Sequence, residues 1–332
     1  ISEQSIVTQQ QAQALLTVRF EQKFAACFEA YSYQDDFAVV FNTTLAEFIV
    51  LPVRQAMKQD WQIQTTAPAF QVLVQQEHHF QSRMLNALEL FDAMQRLELF
   101  AHCEQSKLDT FRADLQLTLQ QSQLSAQHQI RTETWNLVQP AQLFIQLEQY
   151  AGLRDRPYHP LAKLKDGFDQ DEYQQFSPEF SQQIKLNWVA IKKEQVVYGQ
   201  DVSDIKIHQP AKIFLNNQEN LQLQQELHDK GIGDQYLTLP IHAWQFEHVL
   251  VEKFAQELAD QTIIPLAFQS TEMYASSSLR SLLSVSKPQD SLKLPLAVKS
   301  LGSLRFLPIV KMINGQKNQK LLQAAKQKDE VL

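Results

Sequence analysis

The stretch YASSSLRSLLSVSKPQDSLKLPLAVKSLGSLRFLP, residues 274–308, combines strand-like runs with a concentration of positive charge. Asp290 is its single acidic residue, and it accompanies five cations: Arg280, Lys287, Lys293, Lys299 and Arg305. The whole chain has a net charge of −7. Such a local excess of cations in an acidic protein indicates an anion-binding surface.

Alternating apolar residues predict a hairpin, with strands over 277–286 and 291–299 and a further strand from about Ser303. The KPQD segment between the strands has turn composition and takes Lys287 out of the sheet. One face of the first strand would carry Leu279, Leu283 and Val285, and the other Ser278, Arg280, Leu282 and Ser284. The inward residues of the second strand would be Leu292, Leu294, Leu296 and Val298.

A four-residue turn would place Ser284 opposite Lys293 and Ser278 opposite Lys299. One face would then hold the other four cations: Arg280, Lys293, Lys299 and Arg305. Like charges on one face repel each other, so a bound anion would explain them. Arginine suits bidentate contact with phosphate or carboxylate, and lysine acts as a point charge. The alternative interpretation is a solvated amphipathic hairpin with scattered basic residues.

Composition limits the remaining function classes. The 332 residues are 44% hydrophobic and contain only 7 glycines, and no glycine-rich phosphate loop occurs. The acidic balance speaks against general nucleic-acid binding. No apolar run approaches the roughly 18 residues of a membrane span. Two isolated cysteines, Cys27 and Cys103, are compatible with a reducing cytoplasm.

The periodicity predicts two domains with a border near residue 150. Residues 1–150 are expected to be a helical domain, with helices over 5–31, 70–131 and 139–152 and two short strands within 36–53. From 151 to 332, short strands alternate with helices. The predicted fold class is therefore α+β, with a helical domain followed by a domain whose sheet is mostly antiparallel.

Two further segments hold candidate ligand contacts. RPYHPLAKLKDGF contains His159, Lys163 and Lys165, and its prolines would hold His159 rigidly; a proline-rich linker is the alternative. IHAWQ places His242 at a helix start, where a packed turn is the alternative. No metal site is predicted, because the adjacent residues His78 and His79 would lie on different sides of a helix.

HPLAKLKDGF, IHAWQ, SSSLRSL, LKLPLAVKSLGSLRFLP and NGQ occur in this order over residues 150–316. Together they resemble the IucA/IucC family of siderophore synthetases that work independently of nonribosomal peptide synthetases. The resemblance implies a helical thumb over 1–150, a fingers-like ATP-binding domain over 151–332, and a helical palm that this chain lacks. It implies a carboxylate–amine ligase that uses ATP and Mg²⁺ to adenylate citrate or a related acid, which a polyamine or hydroxylamine then attacks.

The resemblance also implies roles for particular residues. The ATP-binding set is His159, Lys163, Ser278, Arg280 and Lys293. Arg305 is the expected catalytic residue, touching the substrate carboxylate and the α-phosphate, with Ser300 and Ser303 beside it. The sequence departs from the family pattern at Arg156, Lys165 and Ala243, and it lacks the threonine that usually precedes the key arginine.

Family members are about twice as long, so residues 1–332 are expected to lack turnover alone. A cytoplasmic location and a homodimer are further implications of the resemblance. The competing hypotheses are a noncatalytic module that binds a nucleotide or polyanion and a helical interaction protein.

Overall fold

The computed structural model describes residues 29–30, 37–41, 47–55, 61–63, 69–74, 80–128, 130, 132–133, 135–156, 159–197, 210–270, 272–284 and 291–328. The chain forms two compact units that divide between Gln116 and Leu117. The sequence instead predicts a border near residue 150. The assignment of thumb-like and fingers-like domains stays a prediction.

The first unit contains an antiparallel sheet followed by helices. Its strands are β1 (Glu29–Ala30), β2 (Phe37–Phe41), β3 (Glu47–Gln55), β4 (Trp61–Ile63), β5 (Ala69–Val74) and β6 (Phe80–Leu85). The strand order is β1-β2-β3-β5-β6, and β4 pairs with β3. Each of these described pairs is antiparallel.

Two predictions for this unit have opposite outcomes. The two strands within 36–53 are confirmed as β2 and β3. The helix predicted from residue 70 is wrong at its start, because β5 and β6 are strands. AFQVLV is a short run of the kind that periodicity cannot assign alone, and pairing with neighbouring strands decides it. The helix predicted over 5–31 lies outside the described residues, apart from β1.

The described residues before Asn86 all belong to strands, so the prediction of a helical domain with only two short strands is wrong for them. Helices follow: α1 (Ala87–Arg96) and α2 (Gln105–Ala126). Asn86 caps α1 through a reciprocal pair of hydrogen bonds with Glu89, which satisfies free backbone donors at the helix start. The apolar face of α1 packs in a core with Ile49, Leu85, Ala93 and Leu97.

The second unit alternates helices and strands. Its helices of at least three residues are α3 (Pro140–Arg154), α4 (Gln170–Phe176), α5 (Pro210–Phe214), α6 (Asn217–Asp229), α7 (Ala243–Gln245), α8 (Val251–Lys253), α9 (Ala255–Ala259) and α10 (Ile309–Lys328). Its strands are β7 (Gln183–Ile184), β8 (Leu186–Lys192), β9 (Tyr236–His242), β10 (Ile263–Gln269), β11 (Met273–Ala275), β12 (Ser281–Ser284), β13 (Ser291–Lys293), β14 (Leu296–Ser300) and β15 (Ser303–Arg305).

Short helical turns join these elements. They are 3₁₀-helical at Trp135–Leu137, Pro178–Phe180 and Lys193–Gln195, and π-helical at Phe246–Leu250. The described strands of the second unit form three sheets, β10-β8-β9, β13-β12-β11-β7 and β14-β15. Each pair is antiparallel, so the prediction of an α+β fold with mostly antiparallel sheets is confirmed for this unit.

Glycines end or accommodate helices in two different ways. Gly231, just after α6, has a φ of +64°, the left-handed conformation in which glycine commonly ends a helix. Gly152 was predicted to end α3, but the helix continues to Arg154. A Cβ on Gly152 would lie 2.7 Å from Pro178, so this glycine permits close packing.

The hairpin from residue 281 is anchored on its apolar side. Leu279, Leu282, Leu294, Leu296 and Val298 belong to one buried cluster with Tyr173, Trp244 and other core residues. Burial of the predicted inward residues of the second strand is thus confirmed for Leu294, Leu296 and Val298. Leu282 is also buried, so its prediction as a residue of the cationic face is wrong.

The predicted register is wrong. Ser281 pairs with Lys293, and Leu283 pairs with Ser291. The first strand begins at Ser281 because residues 276–280 form a turn. The segment KPQD lies outside the described residues, so its predicted turn structure stays a prediction.

Candidate functional site

A cavity of about 220 Å³ lies where the hairpin, the following strands and the segment after α3 come together. The residues around it include five cations, one carboxylate and three serines. They are Asp155, Arg156, Lys165, Ser277, Ser278, Leu279, Arg280, Lys293, Ser300, Leu301 and Arg305. We call this the cation cavity.

The turn over residues 276–280 presents serine hydroxyls and Arg280 to the cation cavity. Two backbone hydrogen bonds close it, Leu279 N–H to Ser276 O at 3.0 Å and Ser276 N–H to Ser281 O at 2.8 Å. Ser277 donates both its N–H and its hydroxyl to Glu148 on α3, at 3.1 and 2.7 Å. These two hydrogen bonds hold the turn against α3 without any bound ligand.

Arg280 is held by one end of its guanidinium. Its Nη1 donates to the carbonyl oxygens of Arg305 and Phe306, at 3.1 and 2.6 Å. Its Nε is buried and has no hydrogen-bond partner among the described residues. Burial lowers the pKa of Arg280, and the nearby charge of Arg305 lowers it further. A ligand oxygen would satisfy the remaining donor and offset the repulsion.

Arg305 approaches the same cavity from β15, next to β14. The residue pairs Leu296–Arg305 and Ser300–Ser303 confirm the predicted strand from Ser303. Burial lowers the pKa of Arg305, and Arg156 lowers it further, while Asp155 acts in the opposite direction. Arg305 thus disfavours the charge of Arg280, and Arg156 disfavours that of Arg305, so a bound anion would relieve the repulsion among these cations.

The backbone around the cavity is unusual. Asp155, Leu279 and Leu301 all have positive φ angles, of 45°, 60° and 52°. Non-glycine residues rarely adopt this region, and such conformations cost about 1 kcal/mol or more each. Three of them around one cavity indicate that the rest of the fold holds this surface in a defined shape.

The structure separates the predicted site residues. Ser278, Arg280, Lys293, Ser300 and Arg305 line the cation cavity. The cations come from a turn and two different sheets, so the single cationic sheet face is a wrong prediction.

The other predicted residues lie elsewhere. Ser303 is exposed and is not among the cavity's lining residues. Lys299 also lies outside the lining, and its backbone bridges to Asp166 with two hydrogen bonds of 2.9 Å. Lys163 is buried and donates to Gly152 O at 2.7 Å and Glu179 Oε1 at 3.2 Å. The His159 ring accepts from the Leu161 N–H at 3.1 Å. Their predicted ligand roles remain predictions.

Asp155 and Arg156 line the cavity but are not among the candidate residues of the sequence analysis, whereas Lys165 is one of the candidate ligand contacts of its segment. Lys165 was noticed in the sequence as a neighbour of Lys163, and Arg156 as a departure from the family pattern. The alternating charges of LRDRPYHPLAKLKDG were the available signal. Only the fold shows which of the two lysines reaches the cavity.

The candidate segment around IHAWQ has a packing role in this structure. His242 is fully buried and accepts a hydrogen bond from the Trp244 N–H at 3.2 Å, which confirms its place at a helix start. Burial lowers its pKa to about 4, so the ring is neutral near pH 7. Gln245 accepts from the Ala297 N–H at 2.9 Å and so fixes the turn to β14.

No group of three or more His, Cys, Asp or Glu side chains with the arrangement of a metal site occurs in the part of the chain that the structure describes. In the same part, no helix is both long and apolar enough to cross a membrane.

The fold and site define a mixed helical and antiparallel-sheet protein with a cavity lined by five cations. The model of the IucA / IucC family matches residues 143–332, which is more than half of the chain. The chain therefore belongs to the IucA / IucC family.

Curated relatives include a synthase and a ligase. The chain is 35% identical over 190 residues to staphyloferrin B synthase of Staphylococcus aureus, covering 57% of this chain and 32% of that protein. It is 28% identical over 206 residues to a citryl-spermidine:spermidine ligase of Bacillus anthracis that also acts on 3,4-dihydroxybenzoyl-citryl-spermidine, covering 61% and 33%.

Solved structures share the fold over nearly the whole chain. The petrobactin biosynthesis protein AsbB of Bacillus anthracis has a TM-score of 0.71 at 20% identity, covering 90% of this chain and 48% of that one. The ATP-bound aerobactin synthetase IucA of Klebsiella pneumoniae has a TM-score of 0.69 at 21% identity, covering 94% and 53%. The chain thus spans about half the length of these structures and about a third of the curated relatives above.

Proposed function

We propose that this chain carries the nucleotide-binding part of a siderophore synthetase, a ligase that activates a carboxylate with ATP and joins it to an amine. The observation that carries the proposal is the cation cavity, in which five cations face one carboxylate. Three comparisons support the choice of substrates. They are membership of the IucA / IucC family, a relative named as a citryl-spermidine:spermidine ligase, and a structural neighbour with bound ATP.

The phosphate groups of ATP would lie against Arg280, Lys293 and Ser278. Arg280 has an unsatisfied buried Nε, and Lys293 is an exposed point charge paired in register with Ser281 on the neighbouring strand. Ser278 Oγ donates to Ser281 Oγ at 2.7 Å and keeps lone pairs and a rotatable proton near the cavity. Side chains would thus bind the phosphates in place of the glycine-rich loop that this sequence lacks.

The substrate carboxylate would lie at Arg305, with the buried Ser300 beside it. Arg305 can contact a carboxylate oxygen and an α-phosphate oxygen together, because its guanidinium presents several donors in a plane. Ser303 is exposed and outside the lining, so it is the least supported of the predicted carboxylate contacts. His159 and Lys163 also lie outside the lining, so their contact with ATP rests on the family resemblance alone.

The proposed chemistry has two steps. A carboxylate oxygen attacks the α-phosphorus of ATP, the bond to the β-phosphate oxygen breaks, and pyrophosphate leaves. The amine nitrogen then attacks the acyl carbon, the bond to AMP breaks, and the nitrogen loses a proton. The cavity contributes charge neutralisation and alignment, which bring two anions together and stabilise the pentacoordinate phosphorus.

Citrate or a related acid and a polyamine or hydroxylamine are the proposed substrates. Mg²⁺ would enter with the nucleotide, since magnesium is commonly held by phosphates, water and one or two carboxylates. We place the activity in the cytoplasm of the cell and regard a homodimer as its assembly. The thumb-like and fingers-like assignments belong to the same proposal, in which residues 1–332 supply the ATP-binding part.

The test is a pair of calorimetric titrations, with Mg-ATP and with citrate, on the wild-type chain and the Arg305→Ala variant. Weaker binding of both ligands to the variant is the expected result. An Arg305→Ala variant that binds both as well as the wild type would favour a helical interaction protein. Amide formation by a chain extended to family length would then distinguish a synthetase from a noncatalytic nucleotide- or polyanion-binding module.

A further inference from the structure

Lys165 is the most deeply buried cation of the cation cavity. Its side chain is only 4% exposed, and its Nζ has two long contacts, 3.4 Å to Asp155 Oδ2 and 3.4 Å to the Ala162 carbonyl oxygen. Both distances lie beyond the usual range of a charge-assisted hydrogen bond. This ammonium group is therefore enclosed but poorly satisfied.

The backbone of Lys165 is fixed on both sides. Gln121 of α2 accepts from the Lys165 N–H at 2.9 Å and donates to its carbonyl oxygen at 3.1 Å. The next residue, Asp166, makes two backbone hydrogen bonds of 2.9 Å with Lys299 of β14. The backbone of Lys165 is thus held between α2 and β14. Moving the side chain away from the cavity would break these hydrogen bonds.

Among the residues that the structure describes, Asp155 is the only carboxylate that lines the cation cavity. It immediately follows α3 and has a φ of 45°, an unfavourable conformation for aspartate in this position. Burial lowers the pKa of Lys165, and Glu179 and Asp155 oppose that change. Asp155 thus takes the place that a ligand oxygen would take in a cavity otherwise lined by positive and neutral donors.

We propose that Lys165 is a further anion-binding residue at the bottom of the cation cavity, and that Asp155 is its internal counter-ion, which an incoming phosphate group displaces. The inference rests on the proposed function, since it names how the same cavity receives a phosphate. Displacement releases the Asp155 carboxylate toward solvent and gives Lys165 a shorter partner. No covalent bond changes in this step.

The proposal predicts an increase in affinity from the loss of a charged residue. Asp155→Asn removes the competitor of the ligand, so inorganic pyrophosphate should bind about tenfold more tightly, within the usual range of coupling between two groups. Lys165→Met should bind more weakly than the wild type. Lys165→Arg, which restores a cation at this position, should bind within a few-fold of the wild type.

The double variant separates competition for Lys165 from a general change of charge. Asp155 also acts on Arg305, so its removal could strengthen binding without involving Lys165. If Asp155 acts through Lys165, then Asp155→Asn gives little or no gain in the Lys165→Met background, and the two changes are non-additive. An equal gain in both backgrounds would overturn the proposal.

Asp166→Asn is the matched control. Asp166 is the neighbouring carboxylate, exposed and outside the cavity lining, so its removal changes the net charge equally. It should change pyrophosphate affinity less than twofold, because exposed charges are screened by salt. Thermal unfolding of each variant shows that it is folded, and Lys165→Gln, which also removes the charge, replaces Lys165→Met in the double variant should Lys165→Met not fold.

Calorimetry with inorganic pyrophosphate is the experiment. Tighter binding to Asp155→Asn that disappears with Lys165→Met supports the proposal. Unchanged or weaker binding to Asp155→Asn overturns it, as does a wild-type chain that binds no pyrophosphate. Pyrophosphate carries neither adenine nor carboxylate, so these results stand apart from the Mg-ATP and citrate titrations that judge the proposed function.

Discussion

Lys163 and Lys165 are two residues apart and both buried, yet their surroundings differ. Lys163 contacts Glu179 and the Gly152 carbonyl oxygen, and Glu179 also accepts from the Tyr173 hydroxyl at 2.7 Å. Lys165 faces a cavity and has only the two long contacts described above. The difference teaches that burial of a lysine does not by itself indicate its role. The identity of its hydrogen-bond partners and their distances from Nζ are more informative.

The partners of Lys163 form a closed network. Glu179 is almost fully buried, with 1% of its side chain exposed, and both of its described partners belong to this network. Burial raises the pKa of Tyr173, and the charge of Glu179 raises it further, so Tyr173 remains a hydroxyl donor. Such a network stabilises the junction of α3, α4 and the turn at Pro178–Phe180, and it engages two of the three donors of the Lys163 ammonium group.

The largest expected effect is on stability at Lys163. Lys163→Met leaves the Glu179 carboxylate buried without its cation, and removal of one partner of a buried pair costs about 3–5 kcal/mol. Urea denaturation monitored by tryptophan fluorescence would measure the free energy of unfolding. The exposed Lys185 supplies the control, since Lys185→Met should stay within about 0.5 kcal/mol of the wild type.

The opposite outcome would show that the comparison is wrong. If Lys163→Met is as stable as the wild type and loses Mg-ATP binding, then Lys163 belongs to the ligand site, as the resemblance implies.

A second effect on stability should depend on pH, through His242. Burial lowers the pKa of this histidine to about 4, against about 6.5 for an unperturbed histidine. The unfolded chain then binds more protons between these two values, so the stabilising contribution is complete above pH 6.5 and falls as the pH is lowered toward 4. The loss should be about 2 kcal/mol between pH 6.5 and 5.

Denaturation series at pH 7, 6 and 5 measure this loss. A His242→Gln variant is the control, because it cannot take up the proton and its stability should change less over the same range. Equal slopes for the two proteins would show that His242 does not cause the dependence.

A third effect on stability should come from Gln121, which holds the backbone of Lys165. It should be similar to or smaller than the effect of His242. Gln121→Leu leaves the N–H and the carbonyl oxygen of Lys165 without their side-chain partner, and each unsatisfied buried group costs about 1–3 kcal/mol. We expect a loss of about 2 kcal/mol by urea denaturation. Ser122→Ala on the same helix is the control, because its hydroxyl only bonds to Thr118 O within α2. Equal stability of both variants would contradict this role for Gln121.

The sequence predicted the apolar side of the hairpin better than its polar side. Alternation identified Leu294, Leu296 and Val298 as buried, and it located the strand that carries Arg305, because burial of alternate residues is a local signal. The register was missed because residues 276–280 form a turn in which Leu279 adopts a φ of 60°. A leucine gives no local sign of that conformation.

The cation cavity was predicted in part. Arg280, Lys293 and Arg305 were expected to meet at one site, and they do, although from separate elements. Lys165 and Asp155 could not be assigned, because their placement depends on the contact with Gln121, which is 44 residues distant from Lys165 in the sequence. Contacts of this separation leave no periodic pattern. The motif resemblance located the segment but did not distinguish Lys165 from Lys163.

The last expected effect is a change in affinity, and it concerns the central claim, that the cation cavity binds polyphosphate. It is tested most directly by titrating Mg-ATP into the wild-type chain and into the Arg280→Ala, Lys293→Ala double variant. We predict that the variant binds about ten- to a hundredfold more weakly, which corresponds to about 1.4–2.8 kcal/mol. Equal affinity of the two proteins for Mg-ATP would contradict the claim.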